Sequence, residues 1–101
     1  MAKYIASYDL EDTDPSPYNV FLEAAAENGW SPWIQGKLDK WYRLPNTTLV
    51  GEFLSLDDAV DALRQARISA EKSIGVRLNM PKWIVSERAV AKFTSDETVD
   101  D

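Results

Sequence analysis

The chain has 101 residues, which is enough for one folded domain and too few for two. Its net charge of −6 disfavours a protein whose affinity rests on neutralising nucleic-acid phosphates. Cysteine and histidine are both absent, which excludes disulfides, thiol catalysis, thiolate metal sites and histidine general bases. No apolar run is long enough for a membrane span and no signal-peptide pattern is present, so we expect a cytoplasmic protein with no membrane association.

The first predicted elements are a strand and a helix. Residues 3–10 are aromatic and β-prone, and a cluster of acids and prolines ends the strand that they predict. Ser16 then has the character of a helix N-cap, with Pro17 at the first helical position. Apolar residues at helical spacing predict a helix over about 17–28, ended by Gly29.

Two strands are predicted next. Residues 32–43 predict a second strand that is either long or bent at Gly36. The turn signal Pro45-Asn46 separates it from a third strand over 47–53. These two strands are therefore predicted to pair as an antiparallel hairpin.

The second half of the chain predicts a longer helix and a last strand. Ser55 is a predicted N-cap, and Asp58 follows three residues later in the first turn. An amphipathic pattern then continues to about residue 74, where Gly75 ends the helix. Residues 82–93 predict either one strand or two short ones, because Glu87-Arg88 interrupts the apolar pattern.

The predicted order is strand, helix, strand, strand, helix, strand. This order predicts an α+β, ferredoxin-like βαββαβ fold, in which a four-stranded antiparallel sheet carries two helices on one face. A single domain would cover residues 1–94. Four acids lie in the last six residues, and we interpret 95–101 as a disordered acidic tail.

The predicted sheet leaves one face without helices, and the chain is rich in aromatic residues. Such a face is either a dimer interface or a stacking surface for bases, and we favour a homodimer. The aromatic residues in question are Trp30, Trp33, Trp41, Trp83, Tyr4, Tyr8 and Tyr42.

The first forty residues resemble a known family. The stretch "SYDL", a short acidic loop, "PYNVFLEAAAENGW" and "PWIQGKLDKW" are similar to the small CRISPR-associated endoribonuclease-like family and to the virulence-associated protein D toxins. Tyr8-Asp9 and Gln35 occupy the places of that family's Tyr-Asp pair and Gln-containing second strand. The resemblance is closest to stand-alone members of the group.

Asp9 is the candidate catalytic and metal-binding residue that the resemblance implies. In the family, the aspartate at this strand end is proposed to hold a divalent metal across a dimer axis. One carboxylate per chain suits Mg²⁺ or Mn²⁺, because such hard cations also take water and phosphate oxygens as ligands. The alternative is that Asp9 hydrogen-bonds the loop after the strand.

Three further acids, Glu11, Asp12 and Asp14, come after Asp9. Their spacing lacks the glycine and the closing glutamate of an EF-hand loop. We therefore interpret them as a solvated loop before a helix N-terminus, where negative charge is favourable.

A local basic run is the candidate nucleic-acid-binding site. Lys37, Lys40 and Arg43 lie next to Trp41, and cations beside aromatic rings suit phosphates and stacked bases. The alternative is an exposed strand whose charges block edge pairing. Lys40 differs in strand parity from the other two cations, so a regular strand would not present all three on one face.

Two functions are therefore predicted. The first is a metal-dependent endoribonuclease or other nuclease, acting on RNA or DNA through Asp9. The second is a non-catalytic, dimeric module that binds a protein or a nucleic acid. The resemblance favours the first function. The acidic charge, the missing histidine and the lack of a clear second carboxylate beside Asp9 favour the second.

Overall fold

The computed structural model describes residues 1–100. Its two helices and seven strands occur in the order β1 (Ala2–Asp9), α1 (Tyr18–Glu27), β2 (Trp30–Ser31), β3 (Trp33–Gln35), β4 (Lys40–Arg43), β5 (Thr48–Phe53), α2 (Leu56–Ile74), β6 (Lys82–Glu87) and β7 (Thr98–Asp100). A 3₁₀ turn, Lys37–Asp39, connects β3 with β4.

The strands form two antiparallel sheets. The main sheet has the order β2-β5-β1-β6, and the small sheet has the order β3-β4-β7. β1 lies inside the main sheet, where it pairs with β5 on one side and β6 on the other. The alternating burial of its residues shows that one face of this strand packs against a core.

The larger core lies between the main sheet and the two helices. Tyr4, Ala6 and Tyr8 of β1 are buried there together with Phe21 of α1. The helix α2 contributes one face of small and apolar residues at spacings of three and four, namely Ala59, Leu63, Ala66 and Ala70.

The predicted caps of α2 are confirmed. The Ser55 hydroxyl accepts a hydrogen bond from the Asp58 main-chain N–H at 3.1 Å. Gly75 adopts the left-handed conformation at the other end, with φ +74°. A Glu71 carboxylate oxygen then accepts the Leu78 N–H at 2.9 Å, which fixes the loop that leads into β6.

The prediction of a ferredoxin-like fold with one four-stranded sheet is wrong, because seven strands form two sheets. The predicted second strand over 32–43 breaks at Gly36 and reverses, so β3 and β4 pair with each other. Leu38 and Asp39 make the reversal with φ values of +61° and +59°. The predicted hairpin is also wrong, since β5 pairs with β1 and β2.

The end of the chain contributes to the small sheet. The predicted last strand over 82–93 is shorter and ends at Glu87. Within the segment predicted as a tail, 95–101, residues Thr98–Asp100 pair with β4. Asp101 lies outside the described residues.

The small sheet packs on the face of the main sheet that has no helices. Ile34 and Leu44 are buried against Val50 of β5, with Ile5 and Tyr42 packed around them. The aromatic residues expected on an open face are therefore distributed differently. Tyr4, Tyr8 and Trp30 belong to the helix-side core, and Tyr42 packs between the sheets.

Among residues 1–100, no helix combines the length and the apolar character that a membrane crossing requires.

Gly51 provides a test of the close approach between β5 and the start of β2. A Cβ atom at this position would lie 2.6 Å from the Gly29 carbonyl oxygen and 2.7 Å from Phe53 Cε2. Because main chain cannot easily move away, we expect Gly51→Ala to lower the free energy of unfolding by about 1–3 kcal/mol in urea denaturation. Ser69→Ala, on the exposed side of α2, is the control and should change it by less than about 0.5 kcal/mol. Equal urea midpoints for the two variants would contradict the close approach of Gly51 to the Gly29 carbonyl.

Tyr8 provides a test through pH. Burial raises the pKa of its hydroxyl to about 12, although the nearby Arg43 cation acts in the opposite direction. Below pH 10 this hydroxyl is protonated in both the folded and the unfolded chain, so it adds no pH dependence. Above pH 10 the unfolded chain loses the proton first, and the stability should fall up to about pH 12.

In an absorbance titration at the phenolate band, Tyr8→Phe should therefore lack the step near pH 12. The free energy of unfolding of this variant should also fall less steeply above pH 10. Tyr18→Phe is the comparison variant. The hydrogen bond to Asp12 also raises the pKa of the more exposed Tyr18 hydroxyl, but this variant should keep the step near pH 12. A step near pH 12 that persists in Tyr8→Phe would show that a different tyrosine titrates there.

Candidate nucleic-acid interface

Asp9 lies exposed at the end of β1, opposite Lys82 of β6. It lines a depression of about 200 Å³ together with Ser7, Trp83 and Ile84. Its carboxylate makes no hydrogen bond or ion pair with another side chain or main chain of residues 1–100. The alternative prediction of a hydrogen bond to the adjoining loop is therefore not seen.

The surroundings of Asp9 in one chain offer little else to a cation. In the part of the chain that the structure describes, no three acidic side chains come together as a metal-binding group. The residue directly opposite is a lysine, and cross-strand neighbours lie within reach of each other's charge. A divalent ion could be held here by one carboxylate, with water, a phosphate or a second copy of the chain as further ligands.

Two of the other acids in the loop after Asp9 make hydrogen bonds with neighbouring residues. The Asn79 amide donates to Glu11 at 3.4 Å, and the Glu11 N–H donates to the Asn79 carbonyl at 3.1 Å. The Tyr18 hydroxyl donates to Asp12 at 2.7 Å. Asp14 is exposed next to Pro15. None of these acids falls in the first turn of α1, which begins at Tyr18.

The structure separates the residues of the predicted basic run. Lys37 lies in the 3₁₀ turn, and Lys40 lies opposite Asp100 of β7. Arg43 is half-buried, and its Nη1 donates to the carbonyls of Pro32 at 3.4 Å and Leu44 at 3.3 Å. The three cations therefore do not form one continuous surface.

Trp41, the aromatic member of that run, lines a larger cleft between the two sheets. This tryptophan cleft has a volume of about 390 Å³, and Trp33, Trp41 and Phe93 contribute its aromatic rings. Gln35, which the resemblance singled out, also lines it and donates to Asp39 at 3.3 Å.

The main sheet contributes the charges of the tryptophan cleft. Glu52 lies directly opposite Lys3, and the Arg88 N–H donates to the Lys3 carbonyl at 2.9 Å. Glu52, Lys3 and Arg88 thus form a row across neighbouring strands, with two cations and one carboxylate. The Arg88 Nε is shielded from water and has no hydrogen-bond partner within residues 1–100.

An unpartnered guanidinium nitrogen is unusual, because leaving such a donor buried costs about 1–3 kcal/mol. An anionic group in the cleft would be attracted by the charge of the guanidinium, and the aromatic rings would accept a planar group by stacking. A phosphate joined to a base has both properties.

Sequence reasoning found Trp41 but missed Lys3, Trp33 and Arg88 as members of this cleft. Lys3 and Arg88 are 85 positions apart in the chain (88 − 3 = 85), so no local motif connects them. Only the pairing of β1 with the end of β6 brings them together.

Asp9 and the tryptophan cleft lie at opposite ends of β1. Asp9 lies six positions after Lys3, and an extended strand covers about 20 Å over that distance. Asp9 is therefore not part of the cleft.

Comparisons of this chain with protein-family models, with curated proteins and with solved structures gave no match.

Proposed function

We propose that the protein is a non-catalytic module that binds single-stranded nucleic acid in the tryptophan cleft. The observation that supports this proposal is that three aromatic residues and two cations line the same cleft. Arg88 is the more specific of the two cations, because no ion pair engages its guanidinium within residues 1–100.

The size and the charge of the cleft define the expected ligand. A volume of about 390 Å³ falls within the range for small-ligand sites, so one or two nucleotides would enter. Stacking contributes about 1–3 kcal/mol per base and tolerates any sequence. With two cations and one carboxylate, and a net charge of −6 for the chain, we expect modest affinity with a shallow dependence on salt.

We also propose that the module acts as a homodimer in the cytoplasm. The strand β6 is an edge of the main sheet, and Ile84 on it is 64% exposed. Edge strands with exposed apolar residues are suited to pairing with another chain. A protein partner that adds a strand to the same edge would produce a heteromeric complex in place of the homodimer.

The second candidate function is a Mg²⁺- or Mn²⁺-dependent endoribonuclease of the CRISPR-associated or toxin type. The specific observation in its favour is the exposed Asp9 carboxylate, which has no partner among the protein groups of residues 1–100. In this mechanism Asp9 holds the ion, and the ion polarises the phosphate and activates a water molecule. The opposite Lys82 is the observation that weighs against it.

Binding can be tested by fluorescence anisotropy with a labelled ten-nucleotide single-stranded RNA. We expect Trp41→Ala to weaken binding by about 5- to 150-fold, which corresponds to the loss of one stacked base. Arg88→Gln should weaken it as well and should reduce the salt dependence, because one phosphate contact is lost.

Matched controls lie on the helix side of the molecule. Trp83 is 43% exposed, and the Arg64 guanidinium lies 5.8 Å above its ring, away from the cleft. Trp83→Ala and Arg64→Gln should leave RNA binding within about twofold of the unchanged protein. Equal losses of RNA affinity in the cleft variants and in these controls would contradict the assignment of the tryptophan cleft as the binding site.

The nuclease candidate is tested separately by incubating the purified protein with single-stranded RNA and with duplex DNA in the presence of Mn²⁺. If Asp9 holds the catalytic ion, cleavage should appear and Asp9→Asn should reduce it at least a hundredfold while the melting temperature is preserved. Cleavage that survives Asp9→Asn would remove Asp9 from the mechanism. No cleavage by either protein, with RNA binding retained, would support the non-catalytic module.

A further inference from the structure

A second cleft lies where the start of α1 meets β1 and the end of β4. Its volume is about 470 Å³, and its polar lining comes from Tyr8, Tyr18, Asn19, Arg43, Asn46 and Thr47. We call it the Tyr8 cleft. It shares no lining residue with the tryptophan cleft, so a ligand of the Tyr8 cleft would bind whether or not the tryptophan cleft takes nucleic acid.

Tyr8 is the most buried polar side chain of this cleft. The residue is 5% exposed, and its ring packs against Phe21 with 4.8 Å between the ring centroids. Its main-chain N–H donates to the Thr47 carbonyl at 3.1 Å, which fixes the strand beside the cleft. The hydroxyl makes no hydrogen bond within residues 1–100, although the Arg43 cation is close enough to influence it.

Arg43 supplies the positive charge. Its Nη1 is occupied by the carbonyls of Pro32 and Leu44, and these two bonds hold the guanidinium in place. In residues 1–100, no acceptor is bonded to its Nε or Nη2, so both remain available as donors toward a ligand.

The N-terminus of α1 supplies further donors. The first helical hydrogen bond runs from the Phe21 N–H to the Pro17 carbonyl at 2.9 Å. Pro17, in the N-cap position, offers no side-chain acceptor, and no acid lies in the first turn. The N–H groups of Tyr18 and Asn19, which both line the cleft, therefore have no capping partner in the described chain.

Two carboxylates lie near Tyr18. The Tyr18 hydroxyl donates to Asp12 at 2.7 Å, and this bond, followed by burial and the charges of Asp12 and Asp9, raises the pKa of that hydroxyl. The lining residues include a tyrosine, an arginine, two asparagines and the first two residues of α1, near the positive end of that helix.

We propose that the Tyr8 cleft binds the phosphate monoester group of a small molecule of nucleotide size. A phosphate offers several oxygens and a double negative charge, which match an arginine fork and helix N–H groups at the same time. The cavity is larger than a phosphate ion alone needs, and Tyr18 and Leu22 provide apolar walls for the remainder of the molecule. The Tyr8 hydroxyl stays protonated throughout the physiological pH range and so acts as a donor to a phosphate oxygen.

The proposal is tested by titrating the ¹⁵N-labelled protein with inorganic phosphate, adenosine 5′-monophosphate and adenosine. Amide signals of Tyr18, Asn19 and Thr47 should shift with the two phosphates and stay in place with adenosine. Tyr8→Phe should weaken binding of the monophosphate about tenfold, because a buried donor to a charged oxygen is lost. Tyr4→Phe, a substitution of the other buried tyrosine of β1, is the matched control and should bind as the unchanged protein does.

A second variant and a second pair of probes complete the test. Asn46→Ala removes an exposed cleft amide without touching the core, and it should weaken binding severalfold. An oligonucleotide with a 5′-phosphate, compared with the same strand ending in a 5′-hydroxyl, distinguishes a strand terminus from a free nucleotide as the source of the phosphate. Shifts of equal size with adenosine and its monophosphate would overturn the proposal, and so would unchanged monophosphate affinity in both Tyr8→Phe and Asn46→Ala.

Discussion

The apolar contact between the two sheets is the interaction on which the rest of this structure depends. Ile34 and Leu44 pack against Val50 and thereby seat the small sheet on the face of the main sheet that the helices leave open. Burial of this kind contributes about 25 cal/mol for each Å² of apolar surface removed from water. It also brings the tryptophans of β3 and β4 to the charged row of the main sheet, and so it creates the tryptophan cleft.

Much of the helical part of this fold could be predicted from the sequence. The start of α2 follows from Ser55 with Asp58, and its end follows from Gly75, because caps are local chemistry. The reversal between β3 and β4 was not predictable in the same way. It depends on Leu38 and Asp39 in left-handed conformations, and leucine gives no signal for such a turn. Gly36 did mark the break, since a Cβ there would lie 2.6 Å from Tyr42 Cε1.

The candidate sites show the same division between local and distant information. Asp9 at a strand end and Trp41 beside cations were visible in the sequence, because each depends on a few neighbouring residues. The role of Arg43 was not visible in the sequence, because its guanidinium is held in place only by hydrogen bonds to the carbonyls of Pro32 and Leu44. Net charge was also a poor guide to local chemistry. A chain of net charge −6 still places Lys3 and Arg88 next to each other, because Arg88 directly follows β6, which pairs with β1.

The strand β7 has a consequence for the motion of the small sheet. Its three residues are exposed, and within residues 1–100 the only strand that pairs with it is β4. Such edges open locally at a small fraction of the free energy of global unfolding, so amide hydrogens of β4 that point toward β7 should exchange with solvent early. Each opening removes Val99 from Trp41 and Asp100 from Lys40. An opening of this strand would leave β3 and β4 as a two-stranded hairpin at the edge of the small sheet.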